Sequence, residues 1–354
     1  MPTPTREAVL SALGRIALPD GRDIVSAGLV RALHLEDGAA RFVMEVDPAD
    51  AERLRPVRDA AEAVLKSLDG IGKASVLMTA HSAKAPPDLA PRRPAAPAGP
   101  QPVPGVDRIL AVGSGKGGVG KSTLAANLAV ALAAEGRRAG LLDADVYGPS
   151  QPRMLGLSGR PASPDGKTMI PLRNHGVAAM SMGLMVDEGQ AVIWRGPMLM
   201  SALQQMMMQV AWGGLDVLVV DLPPGTGDVQ MTLSQKFALT GAVIVSTPQD
   251  VALIDARKAI DMFAKLKVPV LGLVENMSTH VCSNCGHEEH VFGHGGVARE
   301  AERLGVPLLA EIPLHIDIRT ASDEGTPVVA AAPDSPRARA FRDLARRLVA
   351  DGHA

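Results

Sequence analysis

Aromatic residues and cysteines are both scarce in this sequence. Phe, Trp and Tyr together make up 2% of the 354 residues, so the volume of a core must come from Leu, Val, Ile, Ala and the 16 methionines. The two cysteines, Cys282 and Cys285, are separated by two residues. In a reducing compartment such a pair is more often a metal or redox site than a structural disulfide.

Signals for a membrane or for export are missing as well. No run of about 18 apolar residues occurs, and the N-terminus lacks a basic stretch followed by an apolar core. We therefore expect a cytoplasmic protein with no membrane partner. Neither charge dominates, since 36 basic residues face 38 acidic ones. Sequence-independent binding of nucleic acid depends on phosphate neutralisation, so no nucleic-acid partner is expected.

The distribution of proline divides the chain. Eight prolines fall between Pro86 and Pro104, where no hydrophobic period survives, and such a stretch favours an extended linker. Residues 83–105 are therefore predicted to link a small α/β domain at 1–82 to a larger domain at 106–354. The length of the chain agrees with two domains, because hydrophobic cores stop growing at a few hundred residues.

Hydrophobic patterning predicts an α/β fold for both domains. The small domain is predicted to contain helices at 5–14 and 50–68 and strands at 28–36, 39–46 and 71–79. Strands of the larger domain are predicted at 108–113, 138–142, 177–181, 216–221, 242–246, 270–275 and 307–312. Its helices are predicted at 121–135, 198–211, 228–239, 250–266, 295–304 and 336–349. Apolar strands separated by helices indicate a mostly parallel sheet, with ligands at the carboxyl ends of its strands.

A glycine-rich loop lies between the first strand and the first helix of the larger domain. Its spacing, Gly115 followed after four residues by Gly120, Lys121 and Ser122, is that of a P-loop. Glycines let backbone N–H groups surround phosphate oxygens, Lys121 reaches the β- and γ-phosphates, and the Ser122 hydroxyl is placed for Mg²⁺. The residues expected to bind ATP are Gly115, Lys116, Gly117, Gly118, Val119, Gly120, Lys121, Ser122 and Thr123.

The second lysine of this loop, Lys116, resembles the extra lysine of the deviant Walker A ATPases, the group that includes MinD, ParA and nitrogenase iron protein. The resemblance implies an ATP-dependent homodimer in which Lys116 acts on the nucleotide of the partner subunit. It also implies slow ATP hydrolysis, with Lys116, Lys121 and Asp145 as catalytic residues and Asp145 orienting the attacking water. Asp221 ends an apolar strand, so we expect it to hold Mg²⁺ through water, with Asp143 near the same ion.

The cysteine pair allows three interpretations. A redox dithiol has no thioredoxin-like module around it. A zinc knuckle would combine Cys282 and Cys285 with two of His287, His290 and His294 in one chain. An iron–sulfur cluster shared by two subunits would take two thiolates from each of them.

Longer motifs resemble the Mrp-type iron–sulfur carrier ATPases, also called the ApbC/Nbp family, over about residues 105–350. They are Asp143–Ser150, Trp194–Pro197, Asp221–Asp228 and Glu275–Ser278, followed by the cysteine pair. The first 80 residues, with Gly21–Val30, resemble the small iron–sulfur assembly domain often fused to these ATPases. That segment contains no cysteine, so contact with partner proteins is expected there rather than cluster binding.

The resemblance implies a 4Fe–4S cluster held by Cys282 and Cys285 of both subunits and delivered to apo iron–sulfur proteins. Scaffold or donor proteins of cluster assembly are the other implied partners. The resemblance also implies that Asn276 contacts the adenine of ATP. One alternative is a MinD/ParA-like organiser that cycles on a membrane or on DNA, and another is an ATPase with a structural zinc. The amphipathic segment Arg337–Val349 is expected to dock on its own domain rather than on a membrane.

Overall fold

The computed structural model describes residues 4–19, 21–36, 38–46, 50–80, 99–185, 196–282 and 284–354. The chain forms two compact units, residues 1–96 and 97–354. Most of the predicted linker, through residue 98, lies outside the described residues, as do Trp194 and Arg195.

The smaller unit has the predicted order of helix, two strands, helix and strand. Its elements are α1 (Arg6–Leu13), β1 (Val30–Glu36), β2 (Ala39–Val46), α2 (Arg55–Lys66) and β3 (Lys73–Ala80). β2 lies between β1, which is antiparallel to it, and β3, which is parallel. Val9, Leu13 and Leu65 of the helices are fully buried with Phe42 and Met44 of β2, which gives this unit a core of its own.

The larger unit is built on a nine-stranded sheet. Its strands are β4 (Val106–Ser114), β5 (Ala139–Asp143), β6 (Leu172–Asn174), β7 (Val177–Ser181), β8 (Leu215–Asp221), β9 (Gly241–Ser246), β10 (Val270–Val281), β11 (Glu288–Glu289) and β12 (Leu308–Leu314). Their order is β11-β10-β9-β4-β8-β5-β7-β6, and β12 pairs with β10. Among the described strands, β6–β7 and β10–β11 are the antiparallel pairs. The predicted α/β class with a mostly parallel sheet is therefore confirmed.

Helices cover both faces of this sheet. They are α3 (Lys121–Ala134), α4 (Gln151–Met154), α5 (Gly196–Met208), α6 (Asp228–Lys236), α7 (Asp250–Lys265), α8 (Gly296–Leu304), α9 (Ile316–Asp323), α10 (Val328–Ala331) and α11 (Pro336–Ala350). Leu110 of β4 faces a core that includes α3 and α11, and Ala111 faces a second core that includes α5 and α7. Burial on both sides explains why β4 reads as a continuous apolar run.

The C-terminal helix α11 docks on its own domain, as predicted. Phe341, Leu344 and Leu348 are at most 1% exposed and belong to the core shared with α3. Arg342 and Arg346 pair with Glu135 just after α3. The apolar face of α11 is therefore already occupied. None of the helices in the described part of the chain is long and apolar enough to cross a membrane.

The structure differs from the sequence prediction at short elements and at one strand end. Residues 172–174 and 288–289 form antiparallel strands, and α4, α9 and α10 had no predicted counterpart. These elements have two to eight residues, which is too few to show a clear period. β10 continues to Val281, six residues beyond its predicted end, after a register shift in which Met277 has a φ of 59°.

An ion-pair cluster joins α7 to α8 across the second core. The buried carboxylate of Glu300 on α8 accepts two hydrogen bonds of 2.8 Å from Arg257 on α7. Arg303, one turn along α8, contacts the same carboxylate. Arg257, followed by Arg303, lowers the pKa of Glu300 to about 2. This cluster stabilises the fold above that pKa, because the carboxylate is charged and fully paired there.

We expect Glu300→Gln to lower the free energy of unfolding by about 1–2 kcal/mol at neutral pH. A depressed folded-state pKa stabilises above the unfolded-state pKa, so the difference from the wild type should shrink as the pH falls towards about 2. Urea unfolding across this pH range measures it. The control is Glu302→Gln, an exposed residue of the same helix. A difference that stays constant down to the lowest pH would contradict the assignment.

Candidate functional site

The glycine-rich loop connects β4 to α3, as the sequence predicted. Gly120 is the N-cap of α3 and has a φ of 84°, in the left-handed region that favours glycine. A Cβ atom at Gly115 would lie 2.1 Å from the backbone carbonyl carbon of Asp255 on α7. At Gly118 a Cβ would meet no atom within 4 Å. The loop is thus tightly packed against α7 at its start and open where backbone N–H groups are free to meet a phosphate.

Lys121 lies at the centre of a compact polar network. Its side chain is 6% exposed, and its Nζ lies 2.5 Å from Oδ1 of Asp221. The same Nζ lies 3.2 Å from Oγ of Ser122 and 3.8 Å from Oδ2 of Asp145. The structure therefore brings together four residues that were expected to serve the phosphates, Mg²⁺ and the attacking water.

Two carboxylates lie side by side at the carboxyl ends of β5 and β8. Asp143 and Asp221 are paired in register on these neighbouring strands, and each is at most 1% exposed. Burial, and then the charge of Asp221, raises the pKa of Asp143 to about 7. Burial also raises the pKa of Asp145, against the opposing effect of Lys121. This arrangement favours a cation between the strand ends.

Gln151 belongs to this network, although the sequence analysis did not identify it. Its Nε2 donates to Oδ2 of Asp221 at 2.7 Å and to the backbone oxygen of Ser122 at 3.0 Å. Its backbone N–H donates to Oδ2 of Asp143 at 3.1 Å. The signal for it was the sequence Ser150-Gln-Pro152, because proline in the first turn marks the start of a helix.

Two further residues that were predicted to bind the nucleotide, Asn276 and Lys116, lie next to the loop or in it. The Nδ2 of Asn276 on β10 donates to the backbone oxygen of Val119 at 2.8 Å, which ties β10 to the loop. Beside it lies a cavity of about 300 Å³, whose walls include Gly120, Thr123 and Asn276. Lys116 is partly exposed, and no acidic side chain within the described ranges pairs with it. Its charge is therefore available at the open side of the loop.

The cysteine pair lies in a β-hairpin at the carboxyl end of β10. β10 and β11 pair through His280 and Val281, and the N–H of Cys282 donates to the oxygen of His287 at 2.9 Å. Cys285 is exposed and Cys282 is partly exposed. The backbone N–H groups of Cys285 and Asn284 lower the pKa of the Cys282 thiol. The hairpin thus presents two thiols outward, one of them with a favoured thiolate form.

The described residues do not assemble the four-ligand zinc site considered above. The group of three that has metal-binding atoms within 4.8 Å of one another comprises Glu275, His294 and Glu311, and neither cysteine belongs to it. Glu275 is itself engaged, because its carboxylate accepts the N–H of Val297 at the start of α8 at 2.9 Å. Among the described residues, no group of three metal-binding side chains therefore includes a cysteine.

Comparisons with known proteins match both units. Residues 105–349 match the family model described as ParA, NUBPL iron-transfer P-loop NTPase. Residues 6–78 match the model described as iron-sulfur cluster assembly protein. The iron-sulfur cluster carrier protein of Escherichia coli (strain K12) is 56% identical over 247 residues, covering 70% of this chain and 67% of that protein.

Two further proteins extend this similarity in length and in structure. The iron-sulfur cluster carrier protein of Helicobacter pylori is 43% identical over 354 residues, covering 98% of this chain and 92% of that protein. The solved nucleotide-binding protein of Archaeoglobus fulgidus in complex with ADP is 38% identical, with a TM-score of 0.57. That similarity covers 67% of this chain and 92% of the other.

We expect Gly115→Ala to destabilise the larger unit without nucleotide, because its Cβ would overlap the backbone of α7. The matched control is Gly117→Ala, where the nearest atom to an added Cβ is 4.0 Å away. Thermal unfolding of the nucleotide-free protein compares the two. Equal melting temperatures for the two variants would show that α7 does not restrict the loop.

Proposed function

Because this chain belongs to the NUBPL iron-transfer P-loop NTPase family, we propose that it is a slow ATPase that carries a 4Fe–4S cluster between two copies of itself. It passes the cluster to apo iron–sulfur proteins. The observation that carries the proposal is the hairpin of Cys282 and Cys285. It follows the carboxyl end of β10, and the phosphate loop follows the carboxyl end of β4 in the same parallel sheet. Scaffold or donor proteins that load the cluster are its other partners, and the reducing cytoplasm is its location.

The nucleotide site fits ATP and Mg²⁺ by its donor set. The open glycines of the loop leave space for phosphate oxygens, and the buried pair Asp143 and Asp221 attracts a cation. Mg²⁺ would be held by Ser122 and, through water, by Asp221, and would neutralise phosphate charge. Lys121 exchanges its contact with Asp221 for a phosphate oxygen, while Asp145 orients the attacking water.

The adenine is assigned to the cavity beside Gly120, with Asn276 in its wall. The Nδ2 of Asn276 already donates one hydrogen bond to the loop, so its carbonyl oxygen and its second N–H are the groups left for the base. This assignment links recognition of the base to the position of the phosphate loop.

The cluster is the cargo, and it requires two chains. Each chain contains two cysteines, whereas a 4Fe–4S cluster takes four thiolates. Backbone N–H groups of Asn284 and Cys285 are directed at the Cys282 sulfur, as expected for a bound thiolate. A symmetric pair of hairpins therefore supplies the complete ligand set.

Three exposed apolar side chains of the larger unit are assigned to the contact with the second chain. Tyr147, which follows Asp145, is 74% exposed, and Val251, near the start of α7, is 64% exposed. Met198 on α5 is 56% exposed. Exposed large apolar side chains favour a protein interface, so these three are assigned to the contact with the second chain.

The alternative functions are supported less well. An organiser that cycles on a membrane or on DNA gives the cysteine hairpin no role, and the apolar face of α11 is already buried. A structural zinc would need ligands beyond the cysteine pair, and the described histidines do not provide them. The small unit is assigned to contact with partner proteins, since it contains no cysteine.

We expect Cys282→Ala and Cys285→Ala, each alone, to abolish cluster binding and transfer while leaving ATP binding intact. The wild type should gain the visible absorbance of a cluster on anaerobic reconstitution, with about four iron ions per dimer. The measurements are iron content and activation of an apo acceptor protein. The control is the double variant His287→Ala, His294→Ala, which leaves a zinc knuckle with too few histidines and does not change the ligands of the shared cluster. Undiminished transfer by either cysteine variant would end the proposal.

The trans role of Lys116 predicts complementation between two inactive variants. Lys116→Ala and Asp145→Asn should each bind ATP and hydrolyse it far more slowly than the wild type. Random mixing makes half of the dimers mixed, and each mixed dimer has one complete site, so activity should return to about a quarter of the wild-type rate. Recovered activity requires Lys116 and Asp145 to reach each site from opposite subunits. Asp145 Oδ2 lies 3.8 Å from Lys121 Nζ of its own chain, so Asp145 is the residue expected to act in cis and Lys116 the one expected to act in trans. A second mixture, of wild type with the double variant Lys116→Ala, Asp145→Asn, gives an independent test.

In that second mixture the mixed dimers have no complete site under the trans arrangement, because each site lacks either Lys116 or Asp145. If Lys116 and Asp145 both act in cis, the wild-type subunit keeps its own complete site. Activity below that of the wild-type subunits alone is therefore the expected result. Activity proportional to the amount of wild type would contradict the trans role.

A further inference from the structure

The amide side chain of Gln151 is buried beside the nucleotide site and is only half satisfied. The residue is 1% exposed, and both hydrogen bonds of its side chain are made by Nε2. Its Oε1 is buried and has no hydrogen-bond partner among the described residues. A buried carbonyl oxygen without a donor is costly, so it indicates a group that binds there during function.

The partners of the amide fix its orientation. Nε2 faces a carboxylate oxygen of Asp221 and the backbone oxygen of Ser122, and both are acceptors. Turning the amide over would place Oε1 against these two acceptors and lose both hydrogen bonds. The free oxygen therefore stays free of the protein, next to the residues expected to hold Mg²⁺.

Gln151 also joins three segments that the nucleotide site needs. Its side chain contacts the end of β8 and the first turn of α3, and its backbone N–H contacts Asp143 at the end of β5. A single residue thus contacts Ser122, Asp143 and Asp221 at once. Groups with this role act through the residues they hold, which makes Gln151 a positioning residue.

We propose that Gln151 positions Asp221 and Ser122 for Mg²⁺ and that its Oε1 accepts a hydrogen bond from a water in the hydration shell of that ion. The inference rests on the proposed function, since it deepens the description of the same nucleotide site. Mg²⁺ usually keeps several waters when it binds with phosphates, and those waters are donors that need acceptors. An uncharged oxygen suits this place because two buried carboxylates already lie there.

The test measures how much Mg²⁺ strengthens the binding of a fluorescent ATP analogue. Affinity is determined with Mg²⁺ and with EDTA, and their ratio is the Mg²⁺-dependent gain. We expect Gln151→Met, which keeps the volume and removes the amide, to reduce this gain about ten-fold. Its affinity in EDTA should stay close to that of the wild type. The control Gln235→Met, on an exposed position of α6, should keep the full gain.

A second variant separates the role of the oxygen from damage to the fold. Gln151→Glu keeps an oxygen beside the ion, loses both donated hydrogen bonds and adds a third carboxylate. Its melting temperature without Mg²⁺ should therefore be lower than that of the wild type, and Mg²⁺ with ATP should raise it by more than it raises that of the wild type. If Gln151→Met does not fold, Gln151→Glu decides: a Mg²⁺-dependent rise no larger than that of the wild type overturns the proposal.

The outcomes distinguish this inference from the proposed function. A wild-type protein that binds no nucleotide would defeat the proposed function itself. If the wild type shows a clear Mg²⁺-dependent gain in affinity and Gln151→Met shows the same gain, only the role of Gln151 is defeated. Equal losses with Mg²⁺ and with EDTA would also defeat it, because the residue would then support the loop rather than the ion.

Discussion

The nucleotide site depends on keeping two carboxylates buried next to each other. Asp143 and Asp221 are cross-strand neighbours, and like charges in this arrangement repel. The neighbouring groups offset this cost: Lys121 supplies a positive charge, while Gln151 and the hydroxyl of Ser181 donate hydrogen bonds. The loop, α4 and the segment that follows β5 are all held by these contacts. The two carboxylates are therefore kept in place by charge and hydrogen bonds from the chain itself.

One strand connects the nucleotide to the thiols. Asn276 of β10 holds the phosphate loop through Val119, and Cys282 follows directly after the last residue of that strand. α7 lies against Gly115 and is joined to α8 by the Glu300 cluster. The phosphate loop is therefore joined to the cysteine hairpin through a single strand.

The sequence was most informative where chemistry is local. The P-loop spacing identified the phosphate site, and an apolar strand ending in an acid identified Asp221. Gln151 was missed because a four-residue helix shows no period, and its contacts with Asp221 and Ser122 span 70 and 29 residues of sequence. The end of β10 was predicted too early, since residues 276–281 are largely polar and continue the strand only through pairing with β11 and β12.

The segment between Asn276 and Cys282 includes the irregular backbone at Met277. The number of residues in this segment determines which way the cysteine hairpin faces. Side chains on a strand alternate between its two faces, so inserting or deleting one residue reverses every position beyond it. Between Asn276 and Cys282 such a change would turn the sulfur atoms away from the side they now share. Two hairpins related by symmetry would then face apart instead of together. Relatives that carry a cluster in this way should therefore differ here in residue type and not in residue number.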